Sequence, residues 1–164
     1  GSVIPLFIEQ IKANKEITIT NPDMTRFMMN LDNAVDLVLH AFNNGKSGEI
    51  FVQKSPAATI KTLAQALIEL YNSSSKIKYI GTRHGEKMYE TLVTKEEMIK
   101  ATDQDKYFKI SPDDRDLNYD QYFSLGTSKS SIDEYNSNNT NLLSVQEMKN
   151  LLMDLPQIKT DITN

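Results

Sequence analysis

The 164-residue sequence carries a formal charge of −4, 39% hydrophobic residues and no cysteine. This composition indicates one soluble globular domain with a sizeable core, and the lack of cysteine excludes a disulfide scaffold and thiolate metal sites. The acidic balance, without a basic stripe, argues against nucleic acid as a partner. No apolar run approaches the length of a membrane span and no signal peptide is visible, so we expect a cytoplasmic protein. The isolated histidines, His40 and His84, predict no metal site.

The first 30 residues predict one helix and two strands. Apolar residues at helical spacing indicate an amphipathic helix over 3–13. Alternating isoleucine and threonine over 16–20 indicate a strand, and the sequence Asn21-Pro22-Asp23 favours a turn that ends it. A second short strand is predicted near Arg26.

Helices and strands continue to alternate through the middle of the chain. Asp32 is the predicted N-cap of a helix, and a strand follows over 49–53. Thr59 caps the next predicted helix, which leads to a strand over 78–81. The apolar face of the first of these two helices consists of Ala34, Val35, Val38, Leu39 and Phe42. His40 lies off that face, which predicts a solvated side chain. The alternation as a whole predicts an α/β fold.

The segment from Arg83 to Glu90 has the pattern of a ligand-binding loop, because it follows an apolar strand that ends at a glycine. The planar guanidinium of Arg83 suits two-point contact with a phosphate or carboxylate, and Glu86 can accept hydrogen bonds from sugar hydroxyls. These groups predict a site for a phosphorylated sugar, the alternative being a surface salt bridge beside a turn glycine. Beyond the loop, Thr94 and Glu97 predict a capping box and a short helix.

The last part of the chain predicts a polar arm followed by a helix. Serine and asparagine dominate 127–141, which indicates an arm with little core of its own. Ser144 and Glu147 form a second predicted capping box. The apolar side of the helix that follows consists of Val145, Met148, Leu151 and Leu152. We therefore expect two regions, 1–126 and 127–164, with the helix docked on its own domain or, as the alternative, clasping another subunit.

Arginine is rare in this chain. Only Arg26, Arg83 and Arg115 stand among eighteen basic residues. Lysine supplies the other positive charges, so we expect arginine where its bidentate geometry is needed, either at an anion site or in a buried ion pair.

Two sequence signatures are missing. The six glycines never reach the spacing of a dinucleotide-binding fingerprint. No tyrosine is followed by a lysine after three intervening residues, since Tyr71 and Lys76 are one residue too far apart. We therefore predict no catalytic residue in this chain.

Four ordered segments carry a resemblance to a known family. They are Gly1-Ser2-Val3-Ile4-Pro5-Leu6-Phe7, Ile17-Thr18-Ile19-Thr20 with Met24-Thr25-Arg26-Phe27, Gly81-Thr82-Arg83-His84-Gly85-Glu86-Lys87, and Glu134-Tyr135-Asn136-Ser137. On these segments the chain resembles the C-terminal part of the UDP-N-acetylglucosamine 4,6-dehydratases of the capsular-polysaccharide type, which are extended short-chain dehydrogenases. The resemblance implies that Gly1 and Ser2 are native rather than a cloning remnant.

The resemblance implies the C-terminal, substrate-binding part of an α/β enzyme of surface polysaccharide biosynthesis. Its Rossmann half, with the glycine fingerprint and the Tyr/Lys pair, would lie outside this chain and would bind NADP or NAD. The implied substrate is a UDP-sugar, and the full-length protein is expected to be a homo-oligomer. In the implied reaction C4 of the sugar gives up a hydride, water leaves across C5 and C6, and a hydride returns at C6.

The family's binding residues carry over to eight positions of this chain. They are Val3, Ile4, Thr18, Ile19, Thr20, Arg26, Arg83 and Glu86. The resemblance implies that the backbone of 18–20 meets the uracil, that both arginines bind the diphosphate and that Glu86 takes the ribose hydroxyls. Val3 and Ile4 would start the segment beside the sugar and base.

Two departures from the broader sugar-nucleotide epimerases favour the dehydratase subgroup. Arg83-His84-Gly85-Glu86 stands where Arg-Pro-Gly-Asp is common, and Arg26-Phe27 stands where Arg-Asp is common. The alternatives are a UDP-glucose or UDP-N-acetylglucosamine 4-epimerase of the same family, and an isolated binding or assembly module. The fragment by itself is expected to be inactive. Arg115 has no role in the motifs, so packing or an ion pair is expected there.

Overall fold

The computed structural model describes residues 3–112 and 133–163. Gly1, Ser2, Arg115 and the predicted boundary between 126 and 127 lie outside the described residues, so that boundary stays a prediction. The chain divides into two compact units, of which the first comprises Gly1–Asn30, Ser55–Glu90 and Ser137–Asn164. The second unit comprises Leu31–Lys54 and Thr91–Asn136.

The described elements form a mixed α/β fold, as the sequence predicts. The helices are α1 (Val3–Lys12), α2 (Leu31–Asn44), α3 (Ile60–Leu70), α4 (Lys95–Met98), α5 (Val145–Met153) and α6 (Pro156–Thr163). The strands are β1 (Ile17–Ile19), β2 (Thr25–Phe27), β3 (Ile50–Gln53), β4 (Ala57–Thr59), β5 (Ile77–Tyr79), β6 (Thr91–Val93), β7 (Ala101–Gln104), β8 (Tyr107–Ile110) and β9 (Tyr135–Asn136). No described helix is both long and apolar enough to cross a membrane.

The first unit packs helices against two short strand pairs. Strand β1 pairs with β5 in parallel, and β2 pairs with β4 in antiparallel fashion. Helix α3 starts at the predicted cap, where the Thr59 side chain accepts a hydrogen bond from the Thr62 amide. Buried apolar side chains of α1, β1 and α3 form a shared core that includes Phe7, Ile8, Ile11, Ile17, Ile19, Leu63 and Leu67. This core holds β1 in place; β1 carries two of the predicted site residues, Thr18 and Ile19, and Thr20 follows it directly.

The C-terminal helices belong to the same unit. The capping box of Ser144 and Glu147 is present, and α5 packs against α3. Met148 is 0% exposed and Leu152 is 1% exposed, so the prediction that this helix docks on its own chain is confirmed. Helix α6 follows and buries Ile158 in the same core.

The second unit contains a three-stranded antiparallel sheet in the order β3-β8-β7, and the separate pair β6-β9. The predicted capping box of Thr94 and Glu97 is present at α4. Strands β7 and β8 have no counterpart in the sequence predictions, because the charged segment around them lacks a regular alternation of apolar residues. Lys54 pairs with Asp103 and tethers β7 to the segment after β3.

Helix α2 differs from its prediction in two ways. It begins at Leu31, so Asp32 lies in its first turn and is not the N-cap. None of its residues is buried, and Phe42 on the predicted core face is 84% exposed. His40, predicted to be solvated, instead stacks on Tyr107 at 4.1 Å between ring centroids and meets the edge of Phe51. The helix therefore contacts the sheet through the side that carries His40, where ring contacts stabilise the packing, and Val38 and Phe42 of the predicted core face stay exposed.

Candidate nucleotide-sugar site

A cavity of about 450 Å³ in the first unit gathers most of the predicted site residues. Its walls come from α1, from β1 and β2 and from the loop that follows β5. The lining residues are Val3, Leu6, Phe7, Thr18, Ile19, Thr20, Met24, Arg26, Ile60, Ile80, Arg83 and Glu86. Ile4 is the one predicted residue outside this cavity, and it lines a neighbouring apolar cavity together with Val3 and Arg26.

Strand β1 borders the cavity through Thr18 and Ile19, and Thr20 directly after it also lines the cavity. Ile17 and Ile19 are buried in the core, whereas Thr18 and Thr20 are half-buried. Gln10 of α1 holds this strand, since its amide donates to Thr18 Oγ1 at 2.9 Å and its carbonyl accepts from the Thr18 amide at 3.1 Å. The Ile80 amide donates to the Ile19 carbonyl at 2.9 Å. Gln10 has no predicted role, because a polar residue on an amphipathic helix gives no local sign of the strand that it contacts.

The loop after β5 is shaped by its glycines and by Glu86. Gly81 and Gly85 adopt φ values of +83° and +86°, a backbone region that favours glycine. The Glu86 carboxylate accepts from the Arg83 amide at 2.9 Å, and the Glu86 amide donates to the Arg83 carbonyl at 3.2 Å. Glu86 therefore closes the turn with Oε2, besides lining the cavity.

Arg83 is exposed and projects from this closed turn. Among the residues that the structure describes, its guanidinium makes no hydrogen bond or ion pair. A guanidinium in that state can meet an anion without first breaking a contact within the protein.

Arg26 is held by its own chain. Its guanidinium donates to the Thr25 carbonyl at 2.7 Å and to the Lys87 carbonyl at 3.0 Å. Its Nε lies 3.6 Å from a carboxylate oxygen of Glu90. The ion-pair alternative therefore describes Arg26 in part, although the same side chain also lines the cavity. Glu90 belongs to the loop motif, but sequence reasoning assigned it no role.

The cavity combines one exposed guanidinium, one tethered guanidinium and a carboxylate beside residues of strand β1. Two guanidinium groups at one cavity suit a ligand with several anionic oxygens, and a carboxylate suits hydroxyl donors. Within residues 3–112 and 133–163, no group of three histidine, aspartate or glutamate side chains is arranged to hold a metal ion.

Comparison with known proteins identifies relatives of this chain. A family model described as "Polysaccharide biosynthesis protein" matches residues 1–112, and one described as "Polysaccharide biosynthesis protein C-terminal" matches residues 113–159. The UDP-glucose 4-epimerase of Rickettsia bellii (strain OSU 85-389) is 55% identical over 165 residues, an alignment that covers 100% of this chain and 48% of the relative. The UDP-glucose 4-epimerase of Rickettsia felis (strain ATCC VR-1525 / URRWXCal2) is 54% identical over the same shares.

A solved structure agrees with these relatives. The X-ray structure of Pen from Bacillus thuringiensis matches with a TM-score of 0.74 and 35% identity, over 94% of this chain and 45% of that one. The chain spans about half the length of the curated relatives and aligns with their C-terminal half. Because the first family model covers well over half of its residues, the chain belongs to the polysaccharide biosynthesis protein family.

Proposed function

We propose that the first unit binds the nucleoside diphosphate of a UDP-sugar, as part of a sugar-nucleotide-modifying enzyme of polysaccharide biosynthesis. The observation that carries the proposal is the single cavity that joins Arg26, Arg83 and Glu86 to strand β1. In this proposal Arg83 contacts the diphosphate directly, Glu86 accepts from the ribose, and Val3 with residues 18–20 borders the base. Ile4 borders the sugar from the neighbouring cavity.

We propose 4-epimerisation of the sugar as the reaction of the whole enzyme, because the curated relatives are named UDP-glucose 4-epimerase. The 4,6-dehydratase is the second candidate, which the Arg83-His84-Gly85-Glu86 motif favours by resemblance. The two candidates share the nucleotide site and differ in the acids and bases at the sugar, for which this chain has no candidate residue.

The relatives' chemistry calls for a nicotinamide cofactor, which we propose is NADP or NAD. The residues of this chain do not fit that group, because its six glycines lack the fingerprint spacing that brings a backbone close to a pyrophosphate. We assign cofactor binding to the part of the relatives that this chain does not span, and we expect no turnover by the chain alone.

Calorimetric titration of the chain with UDP tests the binding proposal. We expect saturable binding by the unsubstituted chain, weakened by about tenfold or more in Arg83→Lys, because a charge-assisted bidentate contact is lost. Lys87→Arg, which alters an exposed cation in the same loop, is the control and should bind as the unsubstituted chain does. Unchanged UDP affinity in a folded Arg83→Lys variant would contradict the proposed role of Arg83.

Product analysis on a full-length protein of this family that contains this chain separates the two reactions. A 4-epimerised sugar supports the epimerase, and a 4-keto-6-deoxy sugar supports the dehydratase. If neither product forms from UDP-glucose or from UDP-N-acetylglucosamine, the remaining hypothesis is a binding or assembly module.

A further inference from the structure

Ser137 joins two segments of the first unit that are remote in sequence. Its side chain is 0% exposed. Its hydroxyl lies 2.8 Å from Thr25 Oγ1 and donates to the Thr25 carbonyl at 3.0 Å. The same oxygen accepts from the Glu90 amide at 2.9 Å, and the Ser137 amide donates to the Glu90 carbonyl at 2.8 Å.

These contacts use the full hydrogen-bonding capacity of the hydroxyl, which is one donor and two acceptor positions. When the Ser137 hydroxyl donates to the Thr25 carbonyl, Thr25 Oγ1 and the Glu90 amide fill the two acceptor positions. A buried hydroxyl that is fully satisfied holds its neighbours in one arrangement, because any displacement leaves a buried polar group without a partner.

The two segments that Ser137 joins carry the cationic groups of the site. Thr25 directly precedes Arg26, and its amide donates to the Met88 carbonyl at 2.9 Å. Glu90 ends the loop that carries Arg83 and also pairs with Arg26. Ser137 itself is not among the residues that line the cavity. Ser137 can therefore act on a ligand only indirectly, and its hydrogen-bonded partners Thr25 and Glu90 provide a route.

We propose that Ser137 is a positioning residue that fixes strand β2 to the loop 81–90 and so sets Arg26 and Arg83 for one diphosphate. The proposal rests on the function proposed above. It concerns the anionic part of the ligand, because β1, which borders the proposed base position, is held separately by Gln10.

The test compares UDP with uridine, which lacks the diphosphate. Both are titrated into the chain and into Ser137→Ala, with binding followed by nuclear magnetic resonance. We expect UDP affinity to fall about tenfold and uridine affinity to change by less than about twofold, because displacement of binding groups weakens only the contacts that they make. If Ser137 had a merely structural role, its substitution would lower the affinities for UDP and for uridine by the same factor. Equal losses of affinity would therefore overturn the proposal.

Two further variants make the comparison specific. Thr140→Val is the control, because it also removes a hydroxyl of the first unit, one that donates to the Ser55 carbonyl at 2.9 Å. This variant should leave the ratio of the UDP affinity to the uridine affinity unchanged. Thr25→Val removes one of the partners of Ser137 while keeping the side-chain shape. Thr25→Val should lower the affinity for UDP by a smaller factor than Ser137→Ala does. It replaces Ser137→Ala in the test if that variant does not fold.

A measurement without ligand separates this proposal from the proposed function. In Ser137→Ala the Thr25 amide should exchange faster with solvent, while amides in the middle of α3 should keep their rates. If the unsubstituted chain does not bind UDP, the proposed function fails. If UDP binds, and Ser137→Ala changes neither the affinity for UDP nor the exchange rate of the Thr25 amide, the positioning role of Ser137 is wrong and the proposed function stands.

Discussion

At the residue scale, Arg26 and Arg83 line one cavity in different settings. Arg26 is partly buried and donates to two backbone carbonyls that are remote in sequence from each other. Arg83 is exposed, and only its backbone takes part in the turn that Glu86 closes. One arginine therefore supports the fold as well as the site, whereas the other is available to a ligand.

This difference predicts unequal effects on stability. Arg26→Ala should lower the free energy of unfolding by about 1–3 kcal/mol, because it leaves two carbonyls without their charged donor. Arg83→Ala should change it by about 0.5 kcal/mol or less, since substitutions at exposed positions usually do. Urea denaturation of both variants measures the two effects. Equal losses of unfolding free energy in the two variants would contradict the conclusion that Arg26, and not Arg83, supports the fold.

At the element scale, Asp161 links α6 to the rest of the first unit, in addition to the buried Ile158. Its carboxylate lies 2.6 Å from Lys12 Nζ and accepts from the Tyr71 hydroxyl at 2.8 Å. The hydrogen bond from Lys12, followed by that from Tyr71, holds the pKa of Asp161 below its ordinary value of 3.8. Burial, and then the hydrogen bond and charge of Asp161, raise the pKa of Tyr71. Three elements, α1, α3 and α6, therefore meet through one carboxylate and the groups around it.

The lowered pKa predicts a pH-dependent contribution to stability. Because folded Asp161 takes up a proton less readily than unfolded Asp161, its contribution is present above pH 3.8 and is lost as pH falls through the folded pKa. Asp161→Asn should therefore lower the Tm at pH 7, and the difference from the unsubstituted chain should shrink below pH 3.8. Thermal melting at several pH values measures this.

Asp154→Asn, at the exposed end of α5, serves as the control for that series and should leave the Tm nearly unchanged at each pH. A Tm difference for Asp161→Asn that is the same at neutral and at acidic pH would indicate lost packing rather than a lost ion pair.

At the scale of the whole molecule, the two units differ in how many buried apolar residues the structure describes in each. The second unit buries the apolar residues Val93, Ile110 and Tyr135 among those that the structure describes, whereas most of the buried apolar residues belong to the first unit. Helix α2 adds no buried residue to the second unit. Since burial of apolar surface is the main favourable term in folding, the units should differ in stability.

Hydrogen exchange can measure that difference. The amides of residues paired between β3 and β8, such as Val52 and Phe108, should exchange at least about tenfold faster than the Leu67 amide in α3, because fewer of the described apolar residues are buried around that sheet. Identical opening free energies at these positions would indicate that both units unfold as one cooperative element. Cytoplasmic location and homo-oligomeric assembly stay predictions.

The sequence by itself determined several of the local elements and the candidate groups of the loop. Helix α1, the cap at Thr59 and the two capping boxes follow from interactions between residues a few positions apart, which a local pattern can express. The loop motif indicated Arg83 and Glu86, whereas the rarity of arginine made Arg26 a candidate that only the family resemblance assigned to the site. The structure brings all three to one cavity.

Only the tertiary structure decided what those elements contact. The parallel pairing of β1 with β5, the tethering of Arg26 and the outward face of α2 depend on residues far apart in the chain. Ser137 meets Thr25 across 112 positions, a separation at which neither residue carries a local sign of the other. Such contacts arise from the geometry of the packed core, and the loop-closure entropy that opposes them is offset only when the whole unit folds.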